Sequence, residues 1–294
     1  MCRLVDAGGK TMSRHIPWSA WGIVCLMMIA ALYPSSGLDL NVLARNLPPS
    51  WAHPFGTDWL GRDMLTRSLK GLYHSVTLAA LAVLLSSLLA LLLALGSAAN
   101  RWVHRSVRIA IDVCLSVPHL LLMILLSLAF SGVTMSTTVA AEASGGAVGI
   151  VAAIALSHWP RLTRLLLCDL QTVTHSPYFQ LAQQFGQRRL PLLWRHILPH
   201  IAPQWLTGML VMLPQALSHM AGLTFLGFGF DPATPAIGVI LSQASQYLLA
   251  GEWWLAVLPG ALLVLCVLLL SASAQQISGT LRGNAPALLS RSGA

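Results

Sequence analysis

YFQLAQQFGQRRLPLLWRHILPH, residues 178–200, separates two strongly apolar stretches and marks where a membrane-spanning chain returns to water. Tyr178, Leu181, Ala182 and Phe185 recur at i, i+3, i+4 and i+7, which gathers them on one helical face and leaves Gln180, Gln183 and Gln184 elsewhere. Gly186 is the residue best able to end that helix in a left-handed conformation, after which Arg188 and Arg189 restart the chain in a new direction. A second short helix is predicted through Leu192, Leu193, Trp194 and Ile197, stopping at Pro199. Two short helices joined at a glycine, with Arg188, Arg189 and Arg195 beside a membrane, read as a docking surface for another protein. A surface helical hairpin with no partner shares the pattern.

Working outward, the chain has 294 residues, 56% of them hydrophobic and 9% charged, too apolar for a soluble domain. It is predicted to be an all-α integral membrane protein. Six apolar runs, near 18–33, 75–99, 109–131, 147–168, 201–222 and 254–273, supply six candidate transmembrane helices of roughly 20 residues each. The net charge of +8 could suggest nucleic acid, but the charges are divided among short loops. With the N-terminus inside, 13 Lys or Arg lie on the inner side and four on the outer, so both termini are expected in the cytoplasm and no nucleic-acid partner is expected. The five cysteines form no CxxC pair and read as small packing residues. Gly8-Gly9-Lys10-Thr11 lacks the first glycine of a phosphate-binding loop, so the chain is not expected to hydrolyse ATP or to bind a cofactor itself.

The order Gln180-Leu181-Ala182, Gly186, His196-Ile197-Leu198-Pro199 resembles the EAA loop of ABC importer permeases, in which a Glu-Ala-Ala triplet, a glycine and a hydrophobic-Leu-Pro ending form the coupling helix. Gln180 replaces the acidic residue, so a charge-assisted contact becomes a neutral hydrogen bond. After the first apolar run, Gly56-Thr57-Asp58 and Gly61-Arg62-Asp63 are similar to the Gly-Thr-Asp-x-x-Gly-Arg-Asp segment of C-type permeases of nickel, dipeptide and oligopeptide importers. There Asp58 is expected to cap and Asp63 to pair with Arg67 as a helix begins. Leu223-Thr224-Phe225-Leu226-Gly227-Phe228-Gly229 is similar to that family's Leu-Ser-Phe-Leu-Gly-Leu-Gly.

The resemblance, over residues 50 to 270, implies a type I ABC importer permease fold. Its parts would be a cytoplasmic segment 1–16, a first helix in 17–34, a periplasmic loop 35–71, a five-helix core 72–277 with the coupling loop at 171–200, and a cytoplasmic tail 278–294. It implies a homologous second permease, two ATPase subunits that use ATP and Mg, an extracytoplasmic binding protein, and the bacterial inner membrane as setting. ATP binding by those partners would tilt the bundles from inward-open to outward-open.

For the cargo, His119, His158 and His219, with Met212 and Met220, are soft or borderline ligands inside apolar runs, which suits a transition metal or its chelate. A lone intramembrane histidine is more often accounted for by hydrogen-bonded helix packing. Asp112, one turn inside the third run, is a further pathway candidate or a structural partner of Arg108. The wording around Ala155-Leu156-Ser157-His158-Trp159 and His219 is similar to nickel-importer permeases. Nickel or a related metal is therefore expected ahead of dipeptides or oligopeptides. No residue is firmly assigned as a metal ligand; His196 and His200 are spaced i, i+4, but Pro199 intervenes. A secondary transporter would need acidic residues along several helices, where only Asp112 is present, and a membrane enzyme would need a catalytic cluster.

Overall fold

The structure, a computed structural model, describes residues 18–135, 145–174, 176, 181, 197–229 and 234–291. Among them eight α-helices follow one another: α1 (Trp18–Leu32), α2 (Met64–Ala99), α3 (Arg101–Ser116), α4 (His119–Met135), α5 (Gly145–Thr174), α6 (Leu198–Phe225), α7 (Ile237–Ser245) and α8 (Trp254–Arg291). An isolated bridge between Thr57 and Asp63 is the nearest approach to a strand among the described residues. The all-helical membrane architecture expected from the sequence is the one observed. Three helices, α2, α6 and α8, are long and apolar enough to cross a membrane, or four spans if α3 and α4 count as one bent pair. The six apolar runs fall on α1, α2, α3 with α4, α5, α6 and α8, consistent with a six-span chain.

α2 and α5 form the centre of the bundle, with α4 and α6 packed against them and α8 against α6 and α1. The sequence of α2 explains how backbones come close there. Ala79, Ala82, Ser86, Ala90 and Ala94 are all fully buried, whereas Leu81, Leu84, Leu85, Leu88 and Leu92 are exposed. Small residues on one face let neighbouring helices approach, and the leucines turn outward to an apolar surrounding. Some polar atoms in this interior find partners on adjacent helices, whereas Ser86 Oγ and Thr207 Oγ1 have none among the described residues. Trp205 Nε1 on α6 donates to the Ser87 carbonyl of α2 at 2.9 Å, and Ser273 of α8 donates to Ser19 of α1 at 3.0 Å.

The helices depart from the apolar runs in four places. α2 begins at Met64, so the segment leading into the second run is the first turns of the same 36-residue helix. The third run is broken: α3 ends at Ser116, and α4 starts after Val117 and Pro118 at an angle of 103°. Proline has no N–H to continue α3 and disfavours helical geometry in Val117, which is extended here (φ −83°, ψ 138°). The stretch after Pro235, which lies between the fifth and sixth runs, contains the buried helix α7 between α6 and α8. There Gly238 lies so close to α6 that a Cβ would meet Thr224 Oγ1 at 2.0 Å. Last, α8 continues to Arg291, well past the end of the sixth run.

Candidate functional site

At one end of the bundle the loop between α1 and α2 closes around Asp58. Gly56 and Gly61 both have left-handed backbones (φ +71° and +75°), and a Cβ at Gly61 would overlap the Asn41 carbonyl at 1.7 Å. The turn they create places the Asp58 carboxylate, fully buried, against the Leu60 and Arg62 amides at 2.8 and 2.9 Å. Arg62 Nε at 2.8 Å and Arg67 Nη1 at 3.1 Å complete its shell. Arg67 also donates to Gln243 of α7 and lies 4.9 Å from the centre of Trp59, whose ring stacks on Tyr247 at 5.4 Å. Asp63 instead caps α2, accepting from Thr66 N at 2.8 Å and Thr66 Oγ1 at 2.7 Å.

The expected roles of the two aspartates are thus exchanged, Asp58 pairing with Arg67 and Asp63 capping. The spacing contained the signal, because Asp63 stands three residues before Thr66 at a helix start, where a cap's oxygen meets the third amide. Thr57 joins the same knot, donating to the Ala44 carbonyl at 2.5 Å while accepting from Leu47 N at 2.9 Å. All six residues of the motif, Gly56, Thr57, Asp58, Gly61, Arg62 and Asp63, therefore lie in one polar knot that fastens the loop to α2 and α7.

Three histidines from three helices converge inside the bundle. His119 begins α4 directly after the break at Pro118, His158 lies midway along α5, and His219 is on α6. One ring nitrogen from each lies within 4.8 Å of the others, and the ring centres are 4.8 to 5.2 Å apart. His158 is 2% exposed; its Nδ1 is 3.0 Å from the Ile154 carbonyl and 3.0 Å from Ser157 Oγ. A carbonyl only accepts, so that contact puts the proton on Nδ1 and leaves a lone pair on Nε2, which is 3.2 Å from His219 Nδ1. His119 Nε2 is buried with no hydrogen-bond partner among the described residues.

The other pathway candidates lie elsewhere. Met212 and Met220 are buried in the apolar core, where packing accounts for them. Asp112 is on the exposed face of α3 and pairs with Arg164 of α5, not with Arg108. The bend at Pro118 carries α3 away from the α4 direction, which removes Asp112 from the bundle interior. Of the docking loop, Leu181 is exposed, while Leu198 and Pro199 form the first turn of α6, packed beside the buried Ile197. Tyr178, Gln180, Ala182, Phe185, Gly186 and His196 lie outside the described residues.

Comparison with known proteins decides what kind of helical bundle this is. Residues 82–282 match the family described as binding-protein-dependent transport system inner membrane component. The chain belongs to that family. It is thus a membrane subunit of an ABC importer, a transport component of a system that works with a binding protein. A putative peptide permease protein of Brucella suis is 29% identical over 233 residues, 78% of this chain and 72% of the relative. The dipeptide transport system permease protein DppC of Haemophilus influenzae is 31% identical over 255 residues, 84% of this chain and 82% of the relative. The relatives' names point to peptides, where the sequence reading put nickel first.

Proposed function

We propose that this chain forms half of the translocation pathway of an ATP-driven importer whose cargo is a small peptide. The support for that cargo is the likeness to the dipeptide permease of Haemophilus influenzae along most of both chains. In this reading a homologous second permease completes the pathway, two ATPase subunits engage the 171–200 loop from the cytoplasm, and a binding protein delivers cargo to the opposite end. The distribution of Lys and Arg, 13 on one side and four on the other, supports cytoplasmic termini.

The Asp58 knot gives the outer end of each bundle a fixed shape, against which a binding protein could seat. A second reading, import of nickel or a related transition metal as a chelate, draws support from the convergence of His119, His158 and His219. Uptake of labelled dipeptide and of radioactive nickel, measured side by side in a deletion strain, separates the two. Loss of dipeptide uptake alone supports the first reading, and loss of nickel uptake alone replaces it with the second. Purification of the tagged chain from its own membranes should bring ATPase subunits with it; a chain that never carries an ATPase would refute the importer reading altogether.

A further inference from the structure

We propose that His119, His158 and His219 together form a binding site for a borderline divalent transition metal, held as an anionic chelate on its way through the bundle. The inference deepens the metal reading of the cargo. It begins from the chemistry of the donors: three neutral imidazoles suit nickel, cobalt, copper or zinc, and are poor ligands for magnesium or calcium. No Asp, Glu or Cys among the described residues joins the group.

The arrangement has what a ligand set needs beyond proximity. The contact of His158 Nδ1 with the Ile154 carbonyl orients that ring, the outer-shell device by which metal-binding histidines are fixed, and turns its Nε2 lone pair to His219 Nδ1, where a metal would take the place of the proton that His219 donates. Helix packing alone would be expected to satisfy each buried nitrogen, yet His119 Nε2 has no partner among the described residues. Metal–nitrogen bonds of about 2.1 Å place ligand nitrogens roughly 3.0 to 3.4 Å apart. The observed separations of up to 4.8 Å therefore need a contraction of roughly 1.4 to 1.8 Å at the widest pair, within reach of a rotamer adjustment.

Charge sets the form in which the metal arrives. Neutral ligands leave the ion's two positive charges unbalanced in an apolar interior, which is costly. Arg161, three residues beyond His158 on α5 and exposed on the surface of that helix, adds a further positive charge on the side of the three rings. A hydrated cation is disfavoured there. A metal already wrapped by a tridentate polycarboxylate carries a net negative charge, offers a carboxylate oxygen to Arg161 and keeps coordination positions open for imidazole.

The test uses the full complex purified with its partner subunits in lipid nanodiscs. Equilibrium dialysis is run with two probes, aqueous Ni2+ and the one-to-one complex of Ni2+ with citrate, which carries a net negative charge. One chelated nickel per copy of this chain is expected, bound more tightly than the aqueous ion. His119→Gln, His158→Gln and His219→Gln should each weaken binding roughly 10- to 100-fold, at least the scale on which outer-shell partners act. Arg161→Gln should narrow or reverse the preference for the chelate.

Binding of neither probe, or binding that survives all three histidine substitutions together, overturns the proposal. Should a variant fail to assemble, copper electron paramagnetic resonance on the unaltered complex reads the same question: coupling to three imidazole nitrogens supports the site, and its absence refutes it. Peptide uptake that persists while no metal binds would overturn the site and leave the importer reading intact.

Discussion

Replacing Asp58 with Asn tests the physical account of the loop knot most directly. The carboxylate is fully buried and faces two guanidinium groups, one of them, on Arg67, with a side chain only 3% exposed. Asn keeps the volume and an oxygen for the Leu60 and Arg62 amides, but it removes the negative charge and turns an NH2 toward groups that can only donate. Removing one partner of a buried ion pair costs about 3–5 kcal/mol, because the remaining charge stays desolvated and unpaired. Loss of the Asp63 cap should cost less, about 0.5–2 kcal/mol.

Hydrogen–deuterium exchange of α7 and the first turns of α2, in the assembled complex, reads the difference locally. An opening free energy lowered by about 3 kcal/mol raises exchange roughly a hundredfold. The double substitution Asp58→Asn with Arg67→Gln should recover much of the loss, since it removes the stranded charge as well. If Asp58→Asn proved no worse than Asp63→Ala, or if the two changes in the double substitution simply added, the buried-charge reasoning would be wrong.

Gly238→Ala should push α7 off α6, because the new methyl would meet the Ala221 carbonyl at 2.2 Å; a loss of about 1–3 kcal/mol is expected in thermal unfolding of the complex. Asp112→Asn, by contrast, should change thermal stability by less than about 1 kcal/mol, since its pair with Arg164 is exposed; a larger loss would mean that α3 lies in a less polar place than described. Trp205→Phe removes the donor to the Ser87 carbonyl and should cost about 1 kcal/mol, measurable as a lowered midpoint in the same unfolding assay.

Apolar runs and charge placement made the membrane bundle legible in the sequence, because a helix in lipid must declare itself by composition. The places where reading failed are those where distant partners decide. Pro118 is by its chemistry a place for a kink, but whether the chain bends there by 103° or a few degrees depends on what α3 rests against. The helix α7 is only nine residues long, too short to stand out by periodicity, and is held by α2, α6 and α8 around it. Gln243 carried no local hint that Arg67, 176 positions earlier, would reach it. His119, His158 and His219 could each be singled out as unusual within an apolar run, but their meeting is a property of helix packing and could not be read from spacing. The roles of Asp58 and Asp63 were exchanged because an i, i+4 rule was applied where tertiary closure through the two glycines wins.

The loop knot also settles where this molecule can bend. Its charges are locked between Asp58, Arg67 and Gln243, so α2 and α7 are stitched together at that end and cannot slide without stranding a guanidinium in a dry interior. Such an end behaves as a fulcrum. Changes of shape that keep these contacts are left to the rest of the bundle, which would swing like the arms of tongs about that joint.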